Sequence, residues 1–299
     1  AAIEHTKIVE GTDDMLTVDM EDGSVLQMTA AELRDVIFAE DSVIVLSANG
    51  TMFDRSKKGV IPTILERWYT ERQLMQRAVI DCKQLSAKST IETERGYTTE
   101  EMEKELNGFT RRSWLAANEP AMTLSQRDDG KWYADDPDAI ANRGAYWKMM
   151  QQIRKILLNS LYGALLNQHC RFYDKRLGQS VTLTGRSVTK HMASKINESF
   201  GHEYAEVGGV IVYGDTDSVM FSAKKYFQNN GIEFDWNDKS AIVDLYLAVA
   251  EQVSISFPEF MHKTFNTGLT NGRIIDAGLE IAGSRGLFLK KKHRLLCQN

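Results

Sequence analysis

Residues 210–222, Val-Ile-Val-Tyr-Gly-Asp-Thr-Asp-Ser-Val-Met-Phe-Ser, constrain this chain more than any other stretch. Apolar β-formers lead into Tyr213-Gly214, the chain turns through Asp215-Thr216-Asp217, and a second β-prone run begins at Ser218. The pattern predicts a hairpin with two carboxylates at its tip. Side chains alternate along an extended backbone, so Asp215 and Asp217, two apart, are expected to present both carboxylates in one direction. Unpaired, they repel. Crowded hard oxygen ligands call for a cation, and Mg²⁺, usually held by one or two carboxylates with substrate phosphates, meets that need. The same residue types also populate ordinary polar turns through local hydrogen bonds.

The chain before this hairpin changes its period twice. Leu16, Val18 and Met20 alternate up to Asp22-Gly23, and Val25 and Leu26 follow it, a hairpin pattern. Thr29 and Glu32 have the spacing of a capping box for a short helix. Val43 to Leu46 is a strand candidate, with Asn49-Gly50 turning the chain into Thr51 to Phe53. At Pro62 the pattern becomes helical and is expected to run into the 80s, with Ile64, Leu65, Trp68, Leu74, Met75 and Ile80 making apolar contacts. Arg72 shares a face with Trp68 and Gln76, although an arginine there is equally at home as a solvated helix residue. Residues 91–106 and 128–138 are acidic and read as surface. Asp138 is then expected to cap a helix over 139–166.

Net charge is -5, which argues against a uniformly basic nucleic-acid-binding surface. The exception lies in 143–176, with seven Lys or Arg against the single acid Asp174. Within it runs Lys155-Ile-Leu-Leu-Asn159-Ser-Leu-Tyr162-Gly163. Helical spacing puts Lys155, Asn159 and Tyr162 or Gly163 on one stripe, with Ile156, Leu157, Leu158 and Leu161 on the apolar side. A cation, an amide and an aromatic ring suit phosphate, hydrogen-bonding and base-stacking contacts with a nucleotide. An amphipathic helix with a mid-helix glycine accounts for the same pattern.

Together, Lys-x3-Asn-Ser-x-Tyr-Gly followed by Tyr-Gly-Asp-Thr-Asp-Ser resembles the fingers-helix and metal-binding motifs of family B DNA polymerases. Ser47-Ala-Asn-Gly-Thr-Met-Phe, Val60-Ile-Pro-Thr and Lys291-Lys292 resemble the T4-like phage branch in particular, over about 43–294. The resemblance implies an α+β fold, with an antiparallel palm sheet backed by helices and a helical-hairpin fingers subdomain. It divides the chain into palm (1–61), fingers (62–166) and palm (167–299, carrying the hairpin). It further implies DNA-directed synthesis from dNTPs on primer-template DNA with two Mg²⁺ ions. Asp217 is then the first choice as direct metal ligand and Asp215 an outer one, with Glu280 a secondary acidic residue beside the site. Arg72 and Lys155 would hold the triphosphate, Lys155 also assisting the leaving group. Asn159 would position the nucleotide, Tyr162 and Gly163 would shape the base-pair pocket, and Tyr213, Lys291 and Lys292 would contact DNA. Gln76 departs from the branch, which tends to carry a second lysine there.

The family's other metal strand, of the form Asp-x-x-Ser-Leu-Tyr-Pro-Ser, has no counterpart among the 299 residues, nor do exonuclease motifs. An N-terminal polymerase fragment carrying that strand is therefore an expected partner, and Ala1-Ala2 in place of Met fits an incomplete or processed chain. A non-catalytic nucleotide- or nucleic-acid-binding piece of a split polymerase is the competing reading. Cys82, Cys170 and Cys297 are odd in number and scattered, which argues against a disulfide framework. No run of about 18 apolar residues and no signal-peptide pattern occurs, so a cytosolic protein without membrane association is expected.

Overall fold

The computed structural model describes residues 2–92, 98, 100, 124–126, 128–134, 137–282, 285–290 and 293–297. They form two compact units, Ala1–Lys57 with Asp174–Asn299, and Lys58–Tyr173.

The first unit begins with α1 (Ala2–Glu10), the hairpin β1 (Met15–Asp19) and β2 (Val25–Thr29), and α2 (Ala30–Ile37). The capping box forms: Glu32 N–H donates to Thr29 Oγ1 at 3.1 Å and Thr29 N–H to Glu32 Oε2 at 2.8 Å. Such caps are worth about 1 kcal/mol and fix where the helix starts. That start turns Ala30, Leu33 and Ile37 inward against Ile8, Leu16, Val18 and Leu46. The strands β3 (Ile44–Leu46) and β4 (Met52–Asp54) pair across a turn in which Gly50 has φ 81°.

The second unit is built on α3 (Val60–Glu92) and α4 (Pro137–Leu165), with the small hairpin β5 (Leu124–Gln126) and β6 (Trp132–Ala134) between them in sequence. Asp138 does not cap α4. Pro137 takes the first helical position, where its missing N–H costs nothing, so Asp138 lies inside the helix. Met75, Ala78, Cys82 and Trp147 are buried. Ile80 and Ile156, expected on apolar faces, are 53% and 54% exposed, because two long helices packed on each other bury one stripe each. Residues 93–97, 99 and 101–106 of the acidic stretch lie outside the described residues.

The chain then returns to the first unit with α5 (Lys175–Ser199), β7 (Ile211–Asp215), β8 (Ser218–Phe221), α6 (Lys224–Asn229), α7 (Lys239–Phe265), α8 (Leu269–Gly272), β9 (Arg285–Lys290) and β10 (His293–Cys297). Asp174 caps α5 by accepting from Arg176 N–H, and Asp238 caps α7 by accepting from Ser240 and Ala241 N–H. The helices α5 and α7 bury Ile196, Phe200, Val249, Val253 and Phe257 against Val210 and Ala223, and β7 and β8 pack on α5. A hairpin backed by helices is therefore present, but not one broad sheet. Among the described residues the strands pair two by two, all antiparallel, since strands of three to six residues are covered by helices rather than by further strands.

By length and composition α7 alone among the described helices could cross a membrane, yet Val249, Val253, Phe257, Met261 and Phe265 are buried in the protein's own cores. Its C-terminal cap, Asn266 at φ 53°, donates through its amide to the carbonyls of Ile37 (2.6 Å) and Ile44 (3.0 Å). One side chain thus ties the end of α7 to the N-terminal core.

Between α5 and α7, His191 stacks on Phe260 at 3.9 Å, with Nδ1 2.5 Å from Tyr204 Oη and Nε2 2.9 Å from Ser256 Oγ. Burial first, and the nearby Lys195 second, push its pKa down to about 4, against the opposing charge of Glu198. The unfolded chain, with histidine near its ordinary value, binds the proton first as pH falls. Stability from the neutral ring is therefore complete above about pH 6.5, declines towards pH 4 and levels off below. Urea unfolding at pH 7 and pH 4.5 is expected to show a loss on the order of 2 kcal/mol that His191→Gln reduces. An equal loss in that variant would contradict the assignment.

Candidate functional site

Asp215 pairs with Ser218 across the β7–β8 ladder, leaving Thr216 and Asp217 as a two-residue loop. Tight hairpin loops need positive φ at the first central residue, a place usually taken by glycine, asparagine or aspartate. Here it is Thr216, at φ 51°, one of two non-glycine residues with positive φ among those described. A β-branched side chain there costs about 1–3 kcal/mol and persists only when its surroundings impose it. Thr189 Oγ1 on α5 donates to the Thr216 carbonyl at 2.9 Å, and Thr216 Oγ1 donates to Asp215 Oδ1 at 3.0 Å. Asp217 N–H and Ser218 Oγ both donate to the Asp215 carbonyl, at 2.6 and 3.2 Å.

Strand alternation therefore does not set the two carboxylates, because Asp217 is in the loop and not in the strand. Asp217 is exposed and Asp215 half-buried. Asp217 lines a cleft of about 410 Å³ together with Ser218, Asp276 and Glu280, over an apolar floor that includes Phe221 and Tyr246; Asp215 is not among the lining residues. No lysine or arginine lines the cleft among the described residues, so its charged side chains are all carboxylates. Asp276, not singled out in the sequence, accepts from Ser254 Oγ at 2.7 Å. Its signal was a second carboxylate in the apolar run 274–281. Among the described residues no three His, Cys, Asp or Glu side chains gather closely enough to hold a metal ion. Tyr213, half-buried opposite Met220, lines a second, open cleft with Lys190, Glu206 and Gly208. Lys291 and Lys292 lie outside the described residues.

What aims β7 is Asn197, 1% exposed near the end of α5. Its amide nitrogen donates to the carbonyls of Ala205 (2.8 Å) and Gly208 (3.2 Å), and its oxygen accepts from Val210 N–H (3.0 Å). Gly209, at φ 57°, crosses it so closely that a Cβ there would lie 2.3 Å from Asn197 Oδ1. Asn197→Asp puts an acceptor where two carbonyls need a donor, and should cost about 2–3 kcal/mol in urea unfolding. A wild-type midpoint would remove Asn197 from this account.

In the second unit, Arg154 Nη2 on α4 meets Glu71 Oε2 on α3 at 2.6 Å, and Cys82 faces Gly144, where an added Cβ would be 3.1 Å from Cys82 Cβ. Moving up α3 from 71 to 82 runs down α4 from 154 to 144, so the helices are antiparallel. One residue is a turn of roughly 100°, and in an antiparallel pair the residues following two facing partners swing to the same side. Arg72 and Lys155 follow Glu71 and Arg154. Ideal helical geometry, with Glu71 and Arg154 facing, then puts them on one side of the pair and within about two residues of the same level. Lys155 and Asn159 are exposed, Arg72, Gln76 and Tyr162 half-buried, and Gly163 is open on the side a Cβ would occupy. Arg72 Nε is buried without a hydrogen-bond partner among the described residues. Glu71 and Arg154 were not legible as partners, being far apart in sequence.

Residues 132–245 match the family model described as DNA polymerase family B. The chain is 27% identical over 238 residues to the DNA-directed DNA polymerase of Escherichia phage RB69, covering 72% of this chain and 24% of that protein. It is 28% identical over 194 residues to that of Enterobacteria phage T4, covering 62% and 20%. DNA polymerase II of Escherichia coli is 37% identical over 73 residues, or 24% of this chain and 8% of that protein. The chain thus spans about a quarter or less of the length of the curated relatives it matches.

Proposed function

Because this chain belongs to the family B DNA polymerases, in the branch of the T4-like phage enzymes, we propose that it supplies the nucleotide-binding fingers (Lys58–Tyr173) and the metal-binding palm hairpin (β7–β8) of template-directed DNA synthesis. The primer 3′-oxygen bonds to the α-phosphorus of a dNTP while the bond to the pyrophosphate oxygen breaks. The observation that carries the reading is the side shared by Arg72 and Lys155. Two cations nearly level on one face suit a triphosphate, which a lone surface lysine holds weakly.

Lys155 binds the β- and γ-phosphates and stabilises charge on the leaving pyrophosphate. Arg72 adds a second cation. Asn159 and Tyr162 continue the stripe from Lys155 and position sugar and base, with Gly163 keeping the base-pair surface clear. Gln76 replaces a charge with a neutral amide, so triphosphate binding leans more on Lys155 and Arg72.

Asp217, an exposed hard carboxylate lining a cleft whose charged groups are carboxylates, fits Mg²⁺ by donor type, since that ion keeps several waters and few protein ligands. Asp217 would hold it directly, with Asp215 behind it through the loop and Glu280 across the cleft. Two such ions, when bound, activate the 3′-hydroxyl and neutralise the triphosphate. The further aspartate comes, in this reading, from a strand of the Asp-x-x-Ser-Leu-Tyr-Pro-Ser type on an N-terminal polymerase fragment, with primer-template DNA as the other partner.

The test is fluorescence anisotropy of labelled dATP titrated with the chain in Mg²⁺. Saturable binding that unlabelled dNTPs of any base compete, and deoxyadenosine does not, is expected. Absence of binding, or equal competition by the nucleoside, contradicts the phosphate-binding role.

A further inference from the structure

Glu71 is an acidic side chain only 8% exposed. Its Oε1 accepts from Arg67 Nε at 2.9 Å and its Oε2 pairs with Arg154 Nη2 at 2.6 Å. Arg67 is on the same helix and 78% exposed in its side chain, whereas Arg154 comes from the opposite helix and is 25% exposed. A buried ion pair contributes little net stability, because desolvation cancels most of the attraction; its characteristic use is to fix one register among several. Met75, Ala78, Cys82, Trp147 and Gly144 provide apolar and close backbone contacts, which a one-turn slip between helices could largely re-form.

The register matters because each member of the bridge immediately precedes a proposed phosphate ligand. A one-turn slip would move Lys155 about 5.4 Å along the pair relative to Arg72, away from a common level. The cluster also holds more cation than it neutralises. Glu71 faces Arg67 and Arg154, and Glu71 Oε2 and the Nε atoms of Arg72 and Arg154 are all buried without hydrogen-bond partners among the described residues. A bound polyanion would relieve that excess.

We propose that Glu71, through Arg154, is a positioning residue for nucleotide binding, setting the helix register that makes Arg72 and Lys155 one phosphate site. The inference rests on the proposed function and deepens it.

The test is a double-mutant cycle on the affinity of the whole chain for labelled dATP with Mg²⁺, using Glu71→Gln and Lys155→Ala. Glu71→Gln is expected to weaken binding about tenfold, and the double variant to bind no more weakly than Lys155→Ala alone, because groups acting through one site do not add. Wild-type affinity in Glu71→Gln, or a double loss equal to the product of the two single losses, overturns the proposal. Should Glu71→Gln not fold, Arg154→Lys takes its place, keeping the charge but losing the guanidinium that reaches Glu71. A three- to fivefold loss that vanishes in the Lys155→Ala background supports the proposal, and no loss overturns it. Wild-type binding by Lys155→Ala alone would instead overturn the phosphate site itself, and this inference with it.

Discussion

Lys155→Ala is expected to weaken binding of a Mg²⁺-complexed dNTP by roughly 10- to 100-fold, the worth of one or two charge-assisted hydrogen bonds. In primer extension the loss should be greater, about 10²–10⁴ in efficiency, since charge on the departing pyrophosphate grows towards the transition state and a fixed cation then counts for more. Lys239→Ala, at the start of a helix in the other unit, is the control and should match wild type. Lys155→Arg separates charge from shape, and partial recovery is expected, because a guanidinium restores the charge with a different reach. Equal efficiency of the Lys155→Ala and Lys239→Ala variants would remove Lys155 from the site.

The parts of this arrangement that were legible in the sequence are those decided locally. Thr29 and Glu32 announce a capping box because both partners lie within one turn. The β7–β8 hairpin follows from β-formers flanking Gly214 to Asp217, and the Lys155–Asn159 stripe from helical spacing alone. Other features depend on partners distant in sequence. Asp217 was expected at the hairpin tip with its carboxylate set beside that of Asp215 by strand alternation, but the loop that orients it follows from Thr216 at φ 51°, held by Thr189 on α5. Ile80 and Ile156 looked like core because pattern counts apolar faces but not how many neighbours exist to cover them. The pairing of Glu71 with Arg154 could not be read at all until the antiparallel packing of α3 and α4 was known. For the same reason, only the structure brings Arg72 and Lys155 to one side.

Asp217→Asn is the second large effect. It keeps the size and hydrogen-bonding reach of the side chain while removing the charge that a hard cation needs, so folding should be unchanged and Mg²⁺-dependent chemistry lost by at least about 10³. Asp276→Asn, in the same cleft but engaged with Ser254, should cost far less. Glu280→Gln should fall between them, as befits a group across the cleft and not in the loop.

In the proposed role the chain supplies both a metal-binding hairpin and triphosphate ligands for nucleotidyl transfer. The most direct test of that role is Mg²⁺-dependent extension of a labelled primer on a template, with the 299-residue chain supplied with a polymerase fragment bearing the Ser-Leu-Tyr-Pro-Ser strand. Extension that requires both polypeptides, and that Asp217→Asn abolishes, is the predicted result. Extension undiminished by Asp217→Asn, or no more with both polypeptides than with either alone, would contradict it.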